Sequence, residues 1–290
     1  MPQFVSGVVQ RRDRPVSVRP KWREVRAVEV VRRMRGGAQS HLMRCDDGHY
    51  YVVKSKNNPQ HRRVPVNDYI GTRIAGLIGL PVAEPAVVYV APPLASAIHF
   101  DHEQTNLRQT FEAGLSFGSR YVIKPWEGLI LDYVPSELTH RIRNLRDFFG
   151  ILAFDKWTCN ADGRQAVYWR YSRQKLLTAT FIDHGFCFNA GEWNFPDAPL
   201  RGVYGRNDVY SQVTGWPDFE PWLSRIESLS ERVLWETLAE IPVEWYAGAE
   251  QEIATMLHKL FLRRSRVREL IWGFARSSRN PFPRWKESIC

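Results

Sequence analysis

Apolar runs broken by turn chemistry predict a β-meander near the start of the chain. VEVVRRM (28–34) reads as a first strand. It is followed by Arg35-Gly36-Gly37-Ala38-Gln39-Ser40-His41 and a second short strand, LMRC (42–45). Asp46-Asp47-Gly48 suits a hairpin turn, because Asp and Gly tolerate positive φ. A third strand, HYYVVKSK (49–56), ends at Asn57-Asn58-Pro59. The period then changes: Val66, Tyr69, Ile70, Ile74, Leu77 and Ile78 recur at helical spacing over 65–80, with Pro65 in the first turn. PAVVYV (85–90), YVIKPW (121–126) and GLILDYV (128–134) read as further strands.

Beyond about residue 141 the pattern is mainly helical. NLRDFFGILAFDKWTC (144–159) predicts an apolar helix with Leu145, Phe148, Phe149, Leu152 and Trp157 in the core. YWRYSRQKLLTATFIDHGFCF predicts two short strands around a turn, and most of the chain from about 218 predicts helices anchored by Trp216, Trp222, Trp235 and Trp245. Strands with one helix, then a helix-rich half, predict an α+β chain of two lobes.

Composition narrows the class. Among 290 residues, 11 Trp, 15 Phe and 11 Tyr exclude wholesale disorder. No stretch of about 18 apolar residues occurs, so no membrane helix is expected. MPQFVSGVVQRRDRP shows no secretory pattern, which predicts a cytoplasmic protein. Cys45, Cys159, Cys187 and Cys290 form no CxxC pair and read as reduced thiols. The net charge of +9 concentrates in residues 11–35 and in Arg263, Arg264, Arg266 and Arg268. The basic leader, residues 1–22, offers a polyanion contact; solvated arginine faces are the plainer reading. His41, His61, His140, His184 and His258 form no HExxH pair, and no G-x-S-x-G elbow occurs, against a zinc hydrolase or a serine hydrolase of that type.

Four pieces fall in a chemically meaningful order: the glycine turn at Gly36-Gly37, the strand lysine Lys54, the segment Asn160-Ala161-Asp162-Gly163-Arg164-Gln165, and Ile182-Asp183-His184-Gly185 after an apolar strand. Phosphoryl transfer needs glycine for close backbone approach to phosphates and a cation on them. It also needs one carboxylate for the acceptor hydroxyl and another for the metal ion. Each piece alone suits a turn or a snorkelling lysine; their order matches the protein-kinase layout. Residues 189–210 then stand where a kinase carries its activation or substrate segment.

These segments, with VNDYIGTRIAGLIGLPVAEPAVV and FGSRYV, resemble the HipA-like kinases over roughly residues 28–240. The resemblance implies a bilobal protein-kinase-like fold: a β-rich N-lobe at 23–117 and a larger, mainly helical C-lobe at 118–290. It implies an ATP- and Mg²⁺-dependent phosphotransferase, with Mn²⁺ as an alternative ion. The acceptor is a hydroxyl of a protein, of serine/threonine type, or of a small molecule. Gly36, Gly37, Ala38, Gln39, Ser40, Lys54 and Asp68 would bind nucleotide, with Asp68 in place of the family's glutamate as the partner of Lys54. Asp162 would be the catalytic aspartate and Asp183 the metal ligand, supported by Asn160, Arg164, His184 and Gly185. The family's loop has the form N-x-D-x-H-x-x-N. Here Arg164 replaces the histidine and Val167 the metal-binding asparagine, which leaves Gln165 as the nearest substitute ligand. The alternative is therefore a catalytically impaired pseudokinase that binds nucleotide, RNA or protein.

Overall fold

The computed structural model describes residues 24–101 and 108–286; the leader at 1–22 and Cys290 lie outside them. Strands β1 (Glu24–Arg33), β2 (His41–Cys45) and β3 (Tyr50–Lys54) form the expected antiparallel meander. Its second turn is held by the predicted aspartates. Asp46 Oδ1 accepts from the Arg26 N–H (2.9 Å) and Asp47 Oδ1 from the His49 N–H (3.0 Å). Helix α1 (Val64–Leu77) follows, then β4 (Pro85–Val90), the single turn α2 (Pro92–Ala95) and the short pair β5 (His99–Asp101) and β6 (Arg108–Thr110). β7 (Gly114–Arg120) inserts between β3 and β4, antiparallel to both. β1 pairs in parallel with β4, so the order β1-β2-β3-β7-β4 closes a barrel. Met43, Tyr51, Val53, Val88 and Phe100 are among the residues that fill it.

β7 corrects the sequence reading, which places no strand at 114–120 and one at 121–126. Its two glycines and two serines weaken the strand signal. Gly118 is nevertheless required, because a Cβ there would lie 2.4 Å from Val88 Cγ2 on β4. Residues 121–126 instead form the turn that leaves the barrel, which contains Pro125. β7 crosses the expected lobe boundary at 117 and carries the barrel to Arg120.

The second lobe is built around α3 (Asp147–Thr158). Phe148, Phe149, Leu152 and Trp157 are fully buried, as expected. β8 (Gly128–Leu131), β9 (Gln165–Tyr171) and β10 (Thr178–Ile182) form an antiparallel sheet beside it. Helices α4 (Trp222–Ser228), α5 (Glu231–Leu238), α6 (Glu250–Arg263) and α7 (Val267–Ala275) complete the lobe. Trp222 and Trp245 are buried and Trp216 packs on Phe219 and Trp285, but Trp235 is 41% exposed and is not part of the buried core. The basic stretch after α6 is not a free solvated face. Arg263 and Arg266 pair with Asp197, Arg268 pairs with Glu227, and Arg264 donates to the carbonyls of Glu227 and Leu229. Among the described residues, no helix is long and apolar enough to cross a membrane. Cys45, Cys159 and Cys187 are buried and unpaired.

α1 lies between the barrel and the helical lobe and is buried on nearly every side. Its polar residues Asn67, Asp68 and Thr72 are buried with it, so each needs a partner. Those partners build the site.

Candidate functional site

Lys54, the last residue of β3, points inward with Val52 on the strand's alternation, and both line the cleft between the lobes. Its Nζ donates to Asp68 Oδ2 on α1 (2.8 Å) and to Asp183 Oδ1 (2.9 Å), 129 positions further along. Burial works against the ammonium, but Asp183 and Asp68 outweigh it and hold its pKa above the ordinary lysine value. Burial pushes the Asp68 carboxyl up to about 6, against the pull of Lys54. Burial also acts on Asp183, yet Lys54 and Arg164 hold its pKa below the usual carboxylate range. The shorter side chain at position 68 therefore reaches the lysine.

Asp183 adopts φ +62°, a left-handed conformation uncommon for a residue with a side chain. It is tied on both sides. Arg164 Nη1 donates to the carbonyls of Ile182 (2.8 Å) and Asp183 (3.3 Å), and the His184 N–H donates to Asp68 Oδ1 (2.8 Å). Gly185 packs against the same carboxylate, where a Cβ would come within 2.9 Å of Asp68 Oδ2. Arg164 is itself fixed by Asp155 of α3, through Nε (2.9 Å) and Nη2 (2.5 Å), and neither side chain is more than 1% exposed. Where the resemblance expects histidine, a buried guanidinium thus links α3 to the backbone of Asp183. Asn160 also leans on Asp155, and its Oδ1 accepts from the Asp162 N–H (3.1 Å). Asp162 is exposed, and its Oδ1 accepts from the Gly163 N–H (2.7 Å).

The cleft encloses about 720 Å³ and brings Gly36, Gly37, Ala38, Ser40, Lys54, Asp68, Asp162, Arg164, Gln165 and Asp183 to one lining. Gly36 has φ +109°. Gln165 opens β9 opposite Ile182, beside Asp183, and Val167 lies two residues on, opposite Thr180. Four expected site residues stay off that lining. Gln39 is buried and accepts from Arg33 Nη2 (3.0 Å). Asn160 and Gly185 act as described. The His184 ring lies behind the site, near Thr72 Oγ1 (3.2 Å) and edge-on to Phe154, and burial keeps it neutral.

Two residues escaped the sequence reading. Asp155, read as one polar position of a helix, is the anchor of Arg164. Asn67, fully buried, donates from Nδ2 to the carbonyls of Gly185 (2.9 Å), Cys187 (3.1 Å) and Ala190 (2.8 Å), while Oδ1 accepts from Trp193 Nε1 (2.8 Å). The signal for Asp155 is a charged position inside a mostly apolar helix, and Asn67 stands in the VNDYIG segment that carries the family resemblance. Beyond Asp183 the chain is pinned again. Lys156 Nζ donates to the carbonyls of Pro199 (2.7 Å) and Arg201 (2.6 Å), and Asp197 pairs with Arg263 (2.6 Å) and Arg266 (2.8 Å).

Comparisons with known proteins bear on the fold and on the family. The fold matches a crystal structure of the Helicobacter pylori proinflammatory kinase CtkA, with TM-score 0.56, 14% identity, and coverage of 89% of this chain and 100% of that one. It also matches the Golgi casein kinase with Mn/ADP bound, with TM-score 0.50, 11% identity, and coverage of 89% and 74%. A search of curated proteins found no match. The sequence profile of the HipA-like kinases matches residues 27–269, and the chain belongs to that family, whose members are phosphotransferases.

Proposed function

We propose that this kinase transfers the γ-phosphate of ATP to a hydroxyl group, of serine/threonine type on a protein or on a small molecule, with Mg²⁺ or Mn²⁺. The observation that carries the reading is Lys54 bridging Asp68 and Asp183 in the cleft that also holds Asp162. Lys54 binds the α- and β-phosphates beneath the Gly36–Ser40 turn. Asp162 orients the acceptor hydroxyl and receives its proton.

The donor set suits a hard divalent ion. Among the described residues, no group of three or more His, Cys, Asp or Glu side chains could cage a metal by itself. Asp183, with Gln165 beside it, leaves most coordination to phosphate oxygens and water, as Mg²⁺ prefers. When bound, the ion neutralises charge on the phosphates.

Incubation with γ-labelled ATP and Mg²⁺, first alone and then with cell lysate, tests the reading. Asp183→Asn should weaken Mg²⁺-dependent nucleotide binding and turnover together. Asp162→Asn should leave binding nearly intact and lower turnover by about 10²-fold or more, because a general base acts mainly in the transition state. Val167, an apolar residue where the family has a metal-binding asparagine, favours the impaired-kinase alternative. Nucleotide binding by wild type without transfer to any acceptor would select that alternative.

A further inference from the structure

Five cationic side chains line the cleft: Arg32, Arg35, Lys54, Arg120 and Arg164. Four are committed. Arg32 Nη2 donates to the Tyr121 hydroxyl (3.3 Å), and Arg120 pairs with Glu84 (2.9 Å). Lys54 is held by two carboxylates, and Arg164 by Asp155. Arg35 is exposed and has no hydrogen bond or ion pair among the described residues. Its backbone, by contrast, is held within a fixed turn. The Met34 N–H donates to the Ser40 carbonyl (2.8 Å), the Gln39 N–H to the Gly36 carbonyl (3.1 Å), and Asn58 Nδ2 to the Ala38 carbonyl (3.2 Å). A free guanidinium therefore hangs from an anchored turn directly before Gly36.

The charge balance around Lys54 gives it a task. Lys54 with Asp68 and Asp183 is net negative, and Asp162 adds a further carboxylate. Val167 supplies no oxygen for a second metal ion, so a single ion held by Asp183 with Gln165 beside it leaves a bound triphosphate anionic. We propose that Arg35 is a catalytic residue that contacts the transferring phosphoryl group and supplies in cis the positive charge that a second metal ion would otherwise bring. This rests on the phosphotransferase reading. In the step, the bond from phosphorus to the β-phosphate oxygen breaks and the bond to the acceptor oxygen forms. The acceptor proton passes to Asp162. Arg35 gives up no proton and donates hydrogen bonds to the non-bridging oxygens.

Arg35→Ala and Arg35→Lys test this in the full chain by steady-state kinetics and by affinity for Mg²⁺·ADP with and without aluminium fluoride, which mimics the transferring phosphoryl. Arg35→Ala should lower kcat by about 10²-fold or more, less than the roughly 10³–10⁵-fold of arginine fingers in GTPases because this side chain starts exposed. The nucleotide KM should stay within about threefold, and the affinity gained on adding fluoride should vanish. Arg35→Lys should fall between, since it keeps the charge and loses the fork. A kcat within about threefold of wild type, or an equal loss of plain Mg²⁺·ADP affinity, overturns the inference and leaves the kinase reading standing. Absence of transfer by wild type overturns both.

Discussion

Asn67→Ala should cost this protein far more than a typical single substitution, because one amide serves four partners. Truncation leaves the carbonyls of Gly185, Cys187 and Ala190 and the Trp193 indole N–H without it, around a side chain that has no solvent access itself. A buried group deprived of its partner costs about 1–3 kcal/mol, and a carbonyl that keeps a second lone pair sits at the low end. Two amide N–H groups shared among three carbonyls, plus the bond from the indole, make three hydrogen bonds' worth of loss, about 3 kcal/mol, still a large share of the roughly 5–15 kcal/mol that stabilises an ordinary domain. Urea unfolding followed by tryptophan fluorescence and far-UV circular dichroism measures it, with the midpoint falling and the slope unchanged. Asn67→Asp sharpens the test. At neutral pH its carboxylate would face three carbonyl oxygens and be at least as damaging as alanine, and burial would raise its pKa. Acidification should then restore part of the stability through the protonated, donating form. Mg²⁺-nucleotide affinity should fall as well, since α1 carries Asp68 and the bonded carbonyls follow Asp183. A loss below about 1 kcal/mol at unchanged slope would refute the account of Asn67 as the tie between these segments.

Three further outcomes are expected. Asp68 has a pKa of about 6, so kcat/KM should fall as pH drops through that value and Lys54 loses a partner charge; Asp68→Asn should abolish this acid limb. The stability sign is opposite: the folded state holds this proton more tightly than the unfolded chain, near 3.8, so the benefit of protonation is lost as pH rises towards about 6. Arg164→Ala leaves Asp155 buried and unpaired and should cost about 3–5 kcal/mol in thermal or urea unfolding, whereas the Arg164→Ala/Asp155→Ala pair should lose less than the sum of its parts. Gly118→Val forces side chain against Val88 and should destabilise by at least about 1–3 kcal/mol; a neutral result would mean that β4 and β7 do not approach as described.

Local signals carried much of the fold. The first three strands, α1, β4, α3 and the β9–β10 hairpin follow from periodicity and turn residues acting over a few positions. β7 was lost because its two glycines and two serines look like loop chemistry. Gly118 is a packing requirement set by Val88, 30 positions earlier in the chain, and no local window contains it. The site divides in the same way. The residue types at Lys54, Asp162 and Asp183 announce chemistry in order, and the family resemblance supplied Asp68. Asp155 reads as ordinary helix polarity, and Asn67 stands in a family-like segment without a role of its own, because their partners lie on other elements and only folding brings them near.

The barrel's connectivity has a consequence for how the protein is made. β3 and β4 never pair with each other; each waits for β7, which emerges last. At roughly 5–20 residues per second, several seconds of synthesis separate Lys54 from Arg120. During that interval β3 and β4 present open edges, and Tyr51, Val53 and Val88 lack the neighbours that later bury them. Association through such edges competes with folding in proportion to the time they stay exposed. Slowing elongation between Lys54 and Arg120 is therefore expected to lower the yield of this lobe in a cell, independently of its final stability.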